Sequence, residues 1–346
     1  MTTGAPRIGL RVPPCLPADD IASFVARVEA QGFDDVHVPD SQVLWRDAYL
    51  TLFAAARATT RIGLGTAVSN VATRHPSVVA SLARTVAEAA GGRFRLGLGV
   101  GNSSVEPVGL RPSTGAALRA GVADIRALLN GSTATFGDAE VRMRDPFPGV
   151  PIHVAASGPR NLRLAGEIAD GAILLSGVAP HLLRRAVSLV RQGATEAGRD
   201  PDEVEIIVSA HALVTDDIER DARVLKPICA GIAQQGGQSA LAGAGIDIEV
   251  PSRVPEVYPD LVHAEDWDLA VEHCSRWVSD EDAVAFARAF TLFGTPKEIA
   301  ARVGEARDLG ATSIFLQHVG SYDLPHTLAE AVATRVLPLL ARQSSP

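Results

Sequence analysis

The chain is poor in cysteine, with three in 346 residues: Cys15, Cys229 and Cys274. An odd, widely spaced count without a CxxC pair argues against a disulfide framework and against a cysteine-based zinc cluster. It also lacks any Lys/Arg-rich run, and its net charge is −8. A phosphate backbone would find no stripe of cations, so nucleic-acid binding is not expected; the acidity serves solubility. No apolar run approaches the roughly 20 residues of a membrane span. The N-terminus, residues 1–11, has no apolar core of a secretory leader, and a cytoplasmic protein is expected. What is plentiful is apolar: 47% hydrophobic against 21% charged residues, the balance of a globular protein with a large core.

Short runs rich in β-branched residues alternate with longer Ala/Leu/Arg stretches at helical period. That alternation predicts βα units and a parallel sheet. Strands are expected over residues 7–12, 35–39, 61–69, 94–100, 152–156, 172–176, 204–214 and 313–318. Helices are expected over about 19–32, 46–58, 76–91, 114–129 and 327–343, with others starting at Pro159 and ending near Gly198. Residues 137–144 suggest a small extra strand. Eight strands, most followed by a helix, favour a (β/α)8 TIM barrel over an open doubly wound sheet. A dinucleotide-binding sheet would also need GxGxxG after its first strand, where this chain reads Val12-Pro13-Pro14-Cys15. The expected organisation is one domain, 1–346, with an irregular, Gly-rich insertion at about 226–293 between strands seven and eight. Lid and structural cap are both open roles for it.

Active sites of such barrels lie at the C-terminal strand ends. Those positions read Pro39-Asp40-Ser41, residues 66–70, 99–104, 155–158, Ser176-Gly177 and His318. The set is small, polar and Gly-rich, with few strong acids or bases and no metal-ligand cluster. It suits a large planar cofactor that brings its own reactivity, the protein supplying orientation and hydrogen bonds.

Several segments stand in a telling order: Asp40-Ser41-Gln42 with Trp45-Arg46-Asp47; Gly65-Thr66-Ala67-Val68-Ser69-Asn70 with Thr73-Arg74-His75-Pro76; Gly92-Arg93 before Leu96-Gly97-Leu98-Gly99-Val100-Gly101-Asn102-Ser103; Ala155-Ala156-Ser157-Gly158-Pro159 before Ala165-Gly166-Glu167-Ile168-Ala169-Asp170-Gly171; and Phe293-Gly294-Thr295-Pro296 with Glu298. Together they resemble the bacterial luciferase-like superfamily, and within it the branch similar to F420-dependent methylenetetrahydromethanopterin reductase. The resemblance covers nearly the whole chain. It implies an oxidoreductase using coenzyme F420, with hydride transfer between the deazaflavin C5 and a small organic substrate. The alternatives are an FMN-dependent monooxygenase fed by a partner reductase and a non-catalytic flavin-binding barrel. A homodimer is a further expectation, since similar proteins are commonly dimers.

The resemblance also distributes roles. Asp40 sits near the cofactor ring, with Ser41 and Gln42 beside it to tune or relay a proton; a loop or helix-capping aspartate is the plain alternative. Sugar-phosphate dehydrogenases of the family have His after that Asp, and here it is Ser41, so their base is missing. Residues 65–70 match the bulge that carries a non-prolyl cis peptide in F420-dependent members, by position Ala67-Val68, with Asn70 toward the ring's pyrimidine edge. An ordinary trans strand end is the alternative. Trp45, Arg74 and His318 fall to the substrate, Arg74 and His75 facing substrate or phosphate, and His75 serves equally as a helix-start residue. Gly101, Asn102, Ser103 and Ser104 border the ring or ribityl chain, although Gly97, Gly99 and Gly101 read as well as packing glycines. Ala156, Ser157 and Gly158 open a helix whose free N–H groups favour phosphate, and Ser176 and Gly177 adjoin them. Arg11, His211 and, as the alternative to its substrate role, His318 read as core or supporting residues, His37 and His153 as structural.

Overall fold

The computed structural model describes residues 6–343. Residues 1–5 of the N-terminal segment read above for a leader lie outside the described residues. Twelve strands are present among the described residues: β1 Arg7–Arg11, β2 Asp35–Val38, β3 Gly63–Thr66, β4 Ser69–Asn70, β5 Phe94–Gly99, β6 Ala134–Phe136, β7 Ala139–Val141, β8 Ile152–Ala156, β9 Gly171–Leu174, β10 Glu205–Val214, β11 Leu292–Gly294 and β12 Ser313–Gln317. Eight of them run parallel in the order β10-β12-β1-β2-β3-β5-β8-β9, and β9 pairs back onto β10, closing a TIM barrel. All eight expected strands are there. The third is shorter than expected, because the chain leaves the ladder at Ala67-Val68 before β4 rejoins β5. The small extra strand near 137–144 is half of an antiparallel hairpin, β6 with β7.

Alternation along each strand sorts side chains into two populations. One set, including Leu10, Val36, Leu64, Leu98, Val154, Val208 and Leu316, packs outward against the helices in the main core. The other faces the barrel axis. There Ile173, Ile207 and Phe315 form a separate apolar plug, with Ala67, Val68 and Ala155 against it. The N-terminal end of the barrel is filled instead by charges. Asp35 faces Arg7 at 3.4 Å and Arg95 at 3.3 Å, and Glu205 faces Arg7 at 3.1 Å. Charges this deep persist because they are paired.

The helices start where the sequence chemistry asks. Thr114 caps the helix Gly115–Leu129, and Pro76 and Pro159 stand at first helical positions. Thr295 and Glu298 form a reciprocal capping box at the helix Pro296–Asp308. The motif around Gly166 is a brace. Glu167 takes a two-pronged pair from Arg119 (2.7 and 2.6 Å), and Asp170 pairs with Arg126 while accepting the Ile152 N–H at 2.8 Å. A Cβ at Gly166 would collide with the Val190 carbonyl, so only glycine lets Pro159–Ile168 lie this close to Pro180–Glu196.

Between β10 and β12 the chain forms helices Lys226–Gln234, Gln238–Ala242, Trp267–Cys274 and Asp280–Phe290 before β11 pairs with β10. Their apolar faces meet in a second core that includes Cys229, Leu261, Cys274, Phe286 and Phe290. No described helix is long and apolar enough to cross a membrane.

Candidate functional site

The C-terminal mouth of the barrel is built on the β3–β5 contact. The Thr66 hydroxyl donates to the Gly97 carbonyl at 2.7 Å and accepts the Gly97 N–H at 2.9 Å. A Cβ on Gly97 would strike the Thr66 carbonyl, so this seam requires glycine. Immediately beyond it the Ala67-Val68 peptide is cis, at the bond expected from the resemblance. Val68 lies on Gly99, where a Cβ would come within 2.8 Å of its Cγ2. The strand glycines thus act as seats for the bulge. Although they face the axis, Ala67, Val68 and Ala155 are only half-buried, and Leu175, two residues beyond Ile173, is 47% exposed. The mouth therefore has an open apolar floor.

A rim of neutral polar groups surrounds that floor and stitches three loops together. Ser41 and Ser103 share a hydroxyl hydrogen bond at 2.8 Å, and Gln42 donates to the Ser104 carbonyl at 2.7 Å. Asn70 donates to the Ser104 hydroxyl at 3.0 Å. Its Oδ1 accepts the N–H groups of Ala72 (2.9 Å) and Thr73 (2.8 Å) and the Thr73 hydroxyl (3.1 Å). Asn70 is buried and mostly spent on the loop, so the ring contact expected of it rests on one remaining amide hydrogen. Replacing it by Ala removes these bonds and leaves buried donors unpaired. Asn70→Ala is expected to lose about 1–3 kcal/mol, read as a lowered urea midpoint; a variant as stable as the parent would refute the bracing role.

Asp40 lies two residues beyond β2 and is buried. Its carboxylate accepts from the Ser69 hydroxyl at 2.6 Å and from Arg74 Nε and Nη2 at 3.0 Å each. Arg74 reaches Asp47 as well, at 2.7 Å, and lies over the Tyr49 ring. Burial opposes the Arg74 charge, but its bonds to Asp40 and Asp47 outweigh that and hold its pKa above the usual range. Two carboxylates thus already compensate the Arg74 charge, at the position where the resemblance implies a substrate or phosphate contact. Asp47 also caps the helix Ala48–Ala58 through the Leu50 N–H. His75 takes up the helix-start alternative given for it. Its ring caps the helix Pro76–Ala89, bonds Ser77 at 2.8 Å and packs on Phe136 of the β6–β7 hairpin, so it works as a helix-start residue.

Across the mouth, Gly101 adopts φ 78° with Val105 and Asn70 packed on it, and exposed Asn102 reaches Gln235 at 3.4 Å. Ala156 is buried at the end of β8, Ser157 is exposed, and Ser176 donates to its carbonyl at 3.4 Å. Gly158 is the N-cap of Pro159–Ile168 with no side-chain cap bond, leaving first-turn N–H groups open to a ligand. Gly177 sits against the Ala289 carbonyl. On the β1/β10/β12 side stand Arg11, Ser209, His211, Gln317 and His318. The Gln317 amide donates to the Ser209 hydroxyl. Trp45 is buried with its indole N–H on the Ser321 carbonyl at 2.7 Å, so it forms wall. Burial first, then the nearby Arg11, pushes His211 down to about 3 and His318 down to about 4. Sequence reasoning placed Thr66 and Ser69 at the strand end without a role and missed Tyr49, because nothing local marks their partners.

The family model for the luciferase-like monooxygenases matches residues 2–313. The chain belongs to the luciferase-like monooxygenase family. A 5,10-methylenetetrahydromethanopterin reductase of Methanolobus tindarius is 31% identical over 315 residues, covering 88% of this chain and 92% of that protein. An F420-dependent glucose-6-phosphate dehydrogenase of Nakamurella multipartita is 35% identical over 222 residues, 58% of this chain and 65% of that one. Among solved structures, the coenzyme F420-dependent tetrahydromethanopterin reductase of Methanopyrus kandleri superposes with a TM-score of 0.76 at 22% identity, over 97% of this chain and 99% of the other.

Proposed function

We propose that this chain is an F420-dependent oxidoreductase that passes a hydride between the deazaflavin C5 and a small organic substrate. The observation that carries this reading is the mouth itself: an open apolar floor of Ala67, Val68, Ala155 and Leu175 inside a rim of neutral hydroxyl and amide groups. A planar ring fits such a floor, and the relatives named above are consistent with it. The chemistry supplied by the bound cofactor is two-electron transfer at C5. The chain's own residues do the rest. Ala67 and Val68 back the ring face. Ser41 and Ser103 offer hydroxyls at its edge. The open N–H groups after Gly158, with Ser157 and Ser176, take the phosphate end. The Asp40–Arg74 pair holds the loop after β2 rigid behind them. Catalysis then rests on proximity and orientation.

Titration of the purified protein with F420 and with FMN, followed by fluorescence, tests this. Micromolar F420 binding with weak FMN binding is the expected result. Preference for reduced FMN would replace the reading with a two-component monooxygenase, and no affinity for either would leave a silent barrel.

A further inference from the structure

Arg11 is the last residue of β1 and faces the barrel axis, because Gly9, two residues before it, abuts Phe315. The other arginines around the barrel interior and mouth have acids: Arg7 has Asp35 and Glu205, Arg95 has Asp35, and Arg74 has Asp40 and Asp47. Among the described residues no carboxylate forms an ion pair with Arg11, and no hydrogen bond fixes it; its guanidinium stacks on the Trp45 ring at 5.2 Å. Its neighbours are the two neutral imidazoles, His211 and His318, and the Nε2 of His318 is buried without a partner. Asp323 lies near His318 and forms no ion pair with Arg11. Burial alone brings Arg11 down to about 10. A recessed, uncompensated guanidinium lowers stability and is kept where a ligand supplies the missing charge.

We propose that Arg11 receives an oxyanion of the substrate at the barrel mouth, through the two-pronged fork that guanidinium offers to carboxylate or phosphate. This rests on the reading of the mouth as an F420 oxidoreductase site. His211 and His318 flank the guanidinium as neutral imidazoles that leave its charge to the oxyanion, and the Trp45 face holds the fork in place. The substrate is therefore anionic. The same chemistry has a second source, an oxyanion on the reduced cofactor ring.

The test compares the parent with Arg11→Met and Arg11→Lys in the full chain. Thermal melts are run with inorganic phosphate and with acetate, and F420 is titrated in parallel. Expected is saturable stabilisation of the parent by one of the anions, about tenfold weaker in Arg11→Met and partly kept in Arg11→Lys, with F420 affinity unchanged. Without anion, Arg11→Met is expected to melt higher than the parent, which a structural arginine would not do. Equal anion stabilisation of parent and Arg11→Met overturns the proposal, and so does a parent that no anion stabilises while F420 binds both proteins alike. Weaker binding of reduced F420 to Arg11→Met, with no anion response in the parent, assigns the oxyanion to the cofactor and refutes the substrate assignment. Arg11-dependent anion binding in a protein with no F420 affinity upholds the anion site and overturns the cofactor reading alone.

Discussion

Arg74→Ala is expected to destabilise the fold by about 3–5 kcal/mol, the cost of leaving one half of a buried ion pair. The Asp40 side chain is 2% exposed and Arg74 19%, so solvent screens the pair little. Without Arg74, Asp40 keeps only the Ser69 hydroxyl, beside the buried Tyr49 phenol, whose pKa burial already raises, with Asp40 raising it further. Asp47, exposed enough to be solvated, loses far less. Arg74→Lys is expected to fall between parent and Ala, since an ammonium cannot make the two parallel bonds to Oδ1 and Oδ2. The double variant Asp40→Leu/Arg74→Met is expected to recover much of the loss, because an apolar pair of similar volume leaves no stranded charge. Urea unfolding of the four proteins measures this. A loss under about 1 kcal/mol for Arg74→Ala would show that the carboxylate relaxes to water, and the rigid backing assigned to this pair would fall with it.

That pair also marks the boundary of what the sequence discloses. Strand positions were legible because β-branched runs between Gly, Pro and Asp punctuation leave few alternatives, and the helix starts at Thr114, Pro76 and Pro159 carry their own chemistry. The motif order placed Ala67-Val68 at the bulge. Yet Asp40 and Arg74 are 34 residues apart and meet only because β2 pairs with β3 and the chain beyond the bulge, β4, pairs with β5 in the closed sheet. Neither residue type nor spacing announces that Arg74 is spoken for. Which face of a barrel strand turns to the axis is equally hidden, since both faces are buried and hydrophobic alternation is weak. Arg11 consequently reads as a supporting residue in the sequence, and only the packing of Gly9 against Phe315 turns it to the axis at the mouth. The helical content of 226–293 was masked by its glycines and turns, although its irregularity was plain.

The interior charge cluster leads to the second large effect, loss of stability in mild acid. His37 and His153 face the barrel axis, 4% and 2% exposed. His37 stacks on Phe315 with neither ring nitrogen bonded. Burial, opposed by Asp35 and assisted by Arg95 and Arg7, brings His37 down to about 4. Burial with Arg95, His37 and Arg7 brings His153 down to about 3. Glu205 lies 3.7 Å from His153 Nε2 but makes no hydrogen bond with it and is already shared with Arg7. Above about pH 6.5 both imidazoles are neutral folded or unfolded and contribute no slope. Below it the unfolded chain takes up protons that the folded chain refuses, so stability falls as pH drops from about 6.5 toward 4. Each histidine adds at most about 1.4 kcal/mol per pH unit within that window. Urea midpoints at pH 7.5, 6 and 5 are expected to fall steeply, and to fall less in His37→Phe and in His153→Leu, whatever those variants do to stability at neutral pH. The slope, not the level, is the readout: an aromatic or aliphatic replacement disturbs packing equally at every pH, whereas only a titrating group bends the curve. Slopes identical to the parent's in both variants would mean that water reaches these rings in the folded barrel, and the dry, charge-paired base assigned to the barrel would be wrong.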